Sequence, residues 1–380
     1  MKQHVTIVFC FFIGALIGAT TAAEATENAK DAEDDKGSFL VLPIVITEPD
    51  IGEGLGMGLI YFHGEKEDET EGGVDKKSRR VSTAGSMGKT GKEKQPPPTA
   101  TGIFGFYTNN DTHGYGIGHS ASIKDDKFRL MGALARLNVN ATIYLSEIPL
   151  DFELDGNVVY GSLRRRIGSS DFFLGGAFSA LDADINFKLR PRNNMPEGVS
   201  DFSMKSVGIA ASAMYDARDD SMMPSSGQLV DFIAWRYDEA IGSDFDYWSY
   251  RLKAHSFHQL HDRFVLGLRF DVSTTDGAPP FYAVPFVSMR GIPALRYQGD
   301  TAGVFEVEGR YTFAERWAAV AFAGAGFTDA DEVLETSDDI NSYGVGIRFK
   351  ALRRENVWLG FDIAKGPEEY AWYIQLGHPW

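Results

Sequence analysis

The stretch VSMRGIPALRYQGD, residues 287–300, puts two guanidinium groups, Arg290 and Arg296, and one carboxylate, Asp300, between apolar runs. It has no strand or helix period. A guanidinium in an apolar setting is costly unless its fork meets carboxylates. Glu306 and Glu308 follow closely, and their spacing of two puts both on one face of an extended strand. They are the candidate docking partners of Arg290. Gly291 allows a tight backbone turn beside the arginine. This chemistry holds a loop in place and turns over no substrate.

Other chemically suggestive sets are weaker. His255, His258 and His261 stand three apart. On a strand that spacing sends neighbouring side chains to opposite faces, so one metal ion does not collect them. GEGLGMG, residues 52–58, imitates a glycine-rich phosphate loop, but no strand–helix–strand context follows it. It reads as a hairpin of small residues. The Ser and His positions offer no nucleophile–base–acid set with a defensible spacing. No catalytic residue, cofactor or metal site is expected.

The elements that must carry the arginine loop are strands. From Phe39 onward the dominant period is two. In VFEVEGRYTF one face holds Val304, Glu306, Glu308 and Arg310, and the other Phe305, Val307, Gly309, Tyr311 and Phe313. RFVLGLRFDVS, SYGVGIRFK and VWLGFDIA alternate in the same way, the last setting Leu359, Phe361 and Ile363 against Gly360 and Asp362. Strands follow one another at hairpin spacing, and the polar face is charged. Lipid outside and water inside fit that pattern better than a soluble sandwich.

Sixteen strands are expected between 38–47 and 369–380. They include 127–138, 156–167, 171–187 and 203–217, with strands 11 and 12 at 263–275 and 303–314. An even count suits a bacterial barrel, whose strands need ~9–11 residues each. The predicted fold is therefore all-β, a 16-stranded antiparallel transmembrane outer-membrane β-barrel. A loop at 278–302, between strands 11 and 12, folds inward.

Composition agrees. The net charge of −16 and the lack of a basic stripe exclude a general nucleic-acid binder. The mildly negative mean hydropathy is uninformative for alternating strands. Residues 1–23 form a signal peptide: Lys2, an apolar run from Val5 to Ala19, then Thr21-Ala22-Ala23 before Glu24. The single cysteine, Cys10, lies inside it. No later segment could cross a membrane as a helix, which leaves a closed barrel as the spanning solution.

Connections after even strands are short, and those after odd strands are often longer. That places both termini on the periplasmic side of a bacterial outer membrane. Residues 24–37 are then a short periplasmic lead, and 38–380 form the barrel. Residues 65–99 break the pattern with a charged, apolar-poor insertion ending in three prolines, a composition that predicts disorder.

Four segments together carry a family resemblance. Met289-Arg290-Gly291-Ile292 resembles the Arg-Gly loop motif of the BamA/TamA outer-membrane barrel superfamily, the bacterial surface antigens. YDARDDSMMPSSG, with Asp216, Arg218, Asp219, Pro224 and Gly227, resembles that family's turn between strands 8 and 9. LPIVITEPDIGEGLGMG, residues 42–58, resembles its opening hairpin, and FDIAKGPEEYAWYIQLGHPW its closing one. Trp380, on one alternating face with Tyr370, Trp372, Ile374 and Leu376, resembles the aromatic sorting signal of such barrels.

The resemblance implies a lumenal loop whose arginine docks on acidic wall residues. The chain departs from the pattern at FAGAG, 322–326, where Gly324 stands in place of an aspartate. It also leaves no room before strand 1 for the periplasmic POTRA modules of assembly and secretion members. A short, barrel-only member without enzymatic activity follows. Its implied role is translocation or membrane organisation, with a small-solute pore or an outer-membrane lipid-modifying enzyme as alternatives. Implied partners are outer-membrane lipid, the barrel assembly machinery during biogenesis, and a second copy of itself. The inward-facing basic residues Arg164, Arg166, Arg251, Lys253, Arg269, Arg348 and Lys350 either pair with lumen carboxylates or bias a water path toward anions.

Overall fold

The computed structural model describes residues 37–46, 54–64, 96–145, 148–188, 199–293, 296–329, 340–353, 356–368 and 370–380. The leader, the lead up to residue 36 and most of the insertion, 65–95, lie outside the described residues.

Sixteen antiparallel strands form one sheet in which every strand pairs with its neighbours in sequence. The first four are β1 (Ser38–Ile46), β2 (Gly54–Phe62), β3 (Ala100–Thr108) and β4 (His113–Ile123). A taller group follows: β5 (Phe128–Leu145), β6 (Ile148–Arg166), β7 (Phe172–Lys188) and β8 (Val199–Asp216). Then come β9 (Gly227–Tyr237), β10 (Tyr247–His261), β11 (Phe264–Gly277) and β12 (Thr301–Ala314). The last are β13 (Trp317–Thr328), β14 (Ile340–Leu352), β15 (Val357–Lys365) and β16 (Tyr370–Leu376). Among the described residues β1 and β16 share no ladder. Leu40 and Leu42 of β1 instead pack with Val357 of β15 and Leu376 of β16.

Alternation sorts the two faces. Tyr343, Val345 and Ile347 of β14 are exposed on the outside, as are Phe361 and Ile363 of β15. The inner face of β12 buries Val304, Glu306, Glu308 and Arg310. Apolar outside with charges inside reverses the order of a soluble domain and suits a lipid-facing wall.

Two expected boundaries move. Residues 139–155 are expected to connect strands, but β5 runs on to Leu145 and β6 begins at Ile148, with Asn138 opposite Asp155 and Asn140 opposite Glu153. The outward residues there are polar, which hides the strand from an apolar alternation. The inward ones are apolar: Leu137, Val139, Phe152, Leu154, Leu181 and Ile185 share one cluster. The outer face changes character within one row. Leu134, Val159, Ala180 and Val207 lie in register across β5–β8, and the next row is Arg136, Asn157, Asp182 and Lys205. That step marks the edge of the apolar band, above which β5–β8 stand as a polar-coated wing.

The second boundary is β16, expected to reach residue 380. It stops at Leu376 because Gly377 adopts φ +75° and turns the chain inward.

Val345, near the middle of β14, and Asn157, in the first polar row, offer a direct comparison. Val345→Arg should cost about 2–4 kcal/mol of barrel stability in lipid, and Asn157→Arg close to nothing. Reversible denaturant titration in vesicles checks this, and equal costs would misplace the band.

Candidate functional site

The connection between β11 and β12 enters the lumen in two stages. First, Phe281 and Tyr282 pack on the apolar inner face of the wing, Phe281 meeting Phe152 edge-on at 5.9 Å. Its two arms then hold each other: Val287 N–H donates to the Tyr297 carbonyl at 3.0 Å and Gly299 N–H to that of Pro285 at 3.1 Å. The segment is thus a tongue with Arg290 near its tip.

Small wall residues make room for it. A Cβ at Gly324 would collide with the Met289 sulfur, and one at Gly326 with Val287. Val287, Met289, Ile292 and Tyr297 form a buried cluster with Ala302, Val304 and Ile340. Gly291 adopts φ +86°, a conformation that favours glycine. Its N–H donates to the Tyr373 hydroxyl at 2.8 Å, and the Ser342 hydroxyl donates to the Arg290 carbonyl.

Arg290 is itself buried, and three carboxylates surround its guanidinium. Nε donates to Glu306 Oε1 at 3.0 Å, and a second, shorter contact reaches the same oxygen from Nη2. Nη1 lies 2.9 Å from Glu308 Oε2 and 2.7 Å from Asp362 Oδ2. The ring of Phe322 sits 3.4 Å from the guanidinium carbon, a cation–π stack. Arg348 shares the same carboxylates, in close contact with Asp362 and 3.8 Å from Glu308. The four ionic partners Glu306, Glu308, Arg348 and Asp362 are all at most 1 % exposed.

The structure places Glu306 and Glu308 against Arg290 and adds Asp362, which sequence reasoning did not name as a partner. Its signal was its position beside Gly360 on the polar face of β15. Gly324 gives up a carboxylate and supplies space for Met289, so the third negative charge comes from two strands further on.

The cluster extends around the wall. Arg269 donates to Asp271 at 2.8 Å and reaches Glu306 at 3.4 Å. His255 lies 2.9 Å from Asp271. Arg164 donates to Asp231 at 2.9 Å, and Arg166 contacts Asp126. Lys350 lies 4.9 Å from the ring of Trp358. Arg251 also faces inward, between Ile233 and Ser273, and no ion pair engages it among the described residues. The other two histidines separate: His258 bonds Ser256 at 2.8 Å, and His261 ends β10.

The β8–β9 turn is closed by its own acids. Asp216 accepts from Arg129 at 2.6 Å and from Arg218 at 2.9 Å. Asp219 accepts from the backbone of Ser225 and Ser226, and Asp220 from Met222 and Met223. The Pro224 carbonyl accepts from Arg310, and Gly227 adopts φ +96°. In the neighbouring β4–β5 turn, burial acts to raise the pKa of Asp126. Hydrogen bonds from Arg129 and Ser122 and the charges of Arg129 and Arg166 outweigh it, holding the carboxyl below its ordinary range.

Trp380 departs from expectation. It does not continue the face of Tyr370 and Trp372 but lies in the lumen. Its indole Nε1 donates to Glu306 Oε1 at 3.0 Å, and its ring stacks on Phe257 at 5.6 Å. The turn at Gly377 is the cause.

Residues 184–351 match the Omp85 superfamily domain. The fold is similar to BamA from Haemophilus ducreyi lacking POTRA domains 1–3, with TM-score 0.55 at 11% identity, covering 91% of this chain and 70% of that one. It is also similar to CdiB from Acinetobacter baumannii, with TM-score 0.53 at 9% identity, covering 91% of this chain and 60% of that one. CdiB from Escherichia coli gives TM-score 0.56 at 10% identity, covering 92% of this chain and 63% of that one. The chain thus spans less than two thirds of either CdiB. No curated protein matches it in sequence.

Removing Arg290 would take the central cation from three buried carboxylates and leave them the contacts of Arg348 and Arg269. Arg290→Met should destabilise tongue docking by about 3–5 kcal/mol, and Arg290→Lys should recover less than half, because an ammonium cannot fork among three acceptors. Protease cleavage within 281–300 of the folded barrel reports docking. Full protection in the Lys variant would sink this.

Proposed function

We propose, starting from the Omp85 superfamily domain this chain carries at residues 184–351, that the protein is a non-enzymatic outer-membrane barrel of the translocation or membrane-organising kind. One observation carries the reading. A tongue crosses the lumen and is pinned there by Arg290 on Glu306, Glu308 and Asp362. A wall built only to anchor something to lipid has no need of a buried ionic dock inside it. An arrangement that constricts a path does. The exposed apolar outer face supports outer-membrane lipid as the surrounding partner. The barrel assembly machinery is the partner implied for insertion.

The orientation follows from the same logic. The β8–β9 turn around Asp216, Arg218, Asp219, Pro224 and Gly227 belongs to the periplasmic rim, as do both termini, and the tongue enters from outside. Residues 1–23 act as the export signal, and Trp380 contributes to sorting before the barrel closes. A small-solute pore is the second reading, favoured by Arg251, which stays exposed on the inward face of β10.

Planar-bilayer recording of the refolded protein tests the proposal. Wild type should give small or rare steps, and Arg290→Ala larger or more frequent ones as the tongue releases. Identical traces from both, with each shown to be folded by heat-modifiable gel mobility, would remove the constriction from the account.

A further inference from the structure

The four residues after β16 do something the strand pattern did not foretell. Gly377 N–H donates to the Trp358 carbonyl at 2.7 Å, and its positive φ aims the chain across the lumen. His378 N–H then donates to the Met222 carbonyl in the β8–β9 turn at 2.7 Å. The His378 ring meets Phe257 of β10 edge-on at 5.0 Å, and its Nε2 lies 3.3 Å from Glu308 Oε1. Trp380 stacks on the same Phe257, meets His255 at 5.3 Å and donates to Glu306. Gly267 of β11 leaves the space: a Cβ there would lie 2.8 Å from the indole. The segment therefore spans from β16 to the far wall at β10–β12.

Its anchors are the anchors of the tongue. Glu306 Oε1 accepts from both Arg290 and Trp380, and Glu308 faces both Arg290 and His378. The tongue arrives from the β11–β12 end of the barrel and the segment from the opposite end. Both finish on the same two carboxylates.

We propose that residues 377–380 form an inward strap that closes the lumen at the β8–β9 end and is energetically coupled to the Arg290 tongue through Glu306 and Glu308. The coupling is positive. Arg290 holds the carboxylates where the indole and imidazole meet them. The strap in turn covers the carboxylates from water and keeps them for the arginine. Linkage makes the effect reciprocal, so pulling the strap from one end loosens the tongue reached from the other. The strap rests on the reading of a constricted lumen, and its test separates the two.

The reporter is Met289→Cys in a full-length Cys10→Ser background, refolded into vesicles and labelled with a membrane-impermeant thiol reagent. Met289 is buried while the tongue is docked, so labelling reads undocking. Trp380→Ala should raise the labelling rate about tenfold. Trp380→Phe, which keeps the stack on Phe257 but loses the N–H, should raise it less. His378→Ala should raise it too and serves if Trp380→Ala does not fold. Arg290→Ala is the fast-labelling control. If that control is fast while the folded Trp380 and His378 variants label as slowly as wild type, the strap is overturned and the constricted lumen stands. If the control itself is slow, the docked tongue fails first and the strap with it.

Discussion

A guanidinium taken out of bulk water has to be surrounded by carboxylates, and the interior of this barrel is organised around meeting that demand for Arg290. Glu306 and Glu308 come from β12, Asp362 from β15, and Arg348 from β14 balances the excess negative charge. Each of these groups alone would be expensive to bury, and together they satisfy one another. The glycines of β13 matter for the same reason. They let the tongue approach the wall closely enough for the fork to reach three acceptors on two strands.

The ionic arrangement extends beyond that centre. From β6 to β15 opposite charges pair along the inner wall, Arg164 with Asp231, Arg269 with Asp271 and Arg348 with Asp362, and Arg290 of the tongue meets Glu306 among them. At that height the ion pairs sit beside the apolar contacts that the tongue makes with Ala302, Val304 and Ile340. The wing differs. Its inner face is an apolar cluster closed by Phe281 and Tyr282, so the upper lumen is held by packing alone and the middle by packing and charge together.

How much of this was legible from the residues depends on distance along the chain. Alternation exposed the strands because each pairs with its neighbour, and the spacing of Glu306 and Glu308 placed both on the arginine's side. Asp362 lies 72 residues from Arg290, and nothing local ties the two together. β5 and β6 outrun their apolar outer alternation, because the wing replaces it with Asn, Asp and Glu. Trp380 misled for a similar reason. The parity from Tyr370 to Leu376 extends to it on paper, but one glycine in a left-handed conformation ends the parity. Gly377 itself was the available signal, since glycine after an apolar run often marks such a stop.

The nearest-neighbour order of the sheet carries a consequence for how the chain acquires its structure. Every ladder joins strands adjacent in sequence, so hairpins can zip in turn, most of them across a short connection, with 63–99 and 278–300 the long exceptions. The ionic centre cannot form on that schedule. Arg290 waits for Asp362, and Glu306 waits for Trp380, 74 residues later. Until the last two strands arrive, the unfinished wall curves around water with its carboxylates still hydrated. Burial of the β12 carboxylates therefore comes late in folding, after most of the wall has paired.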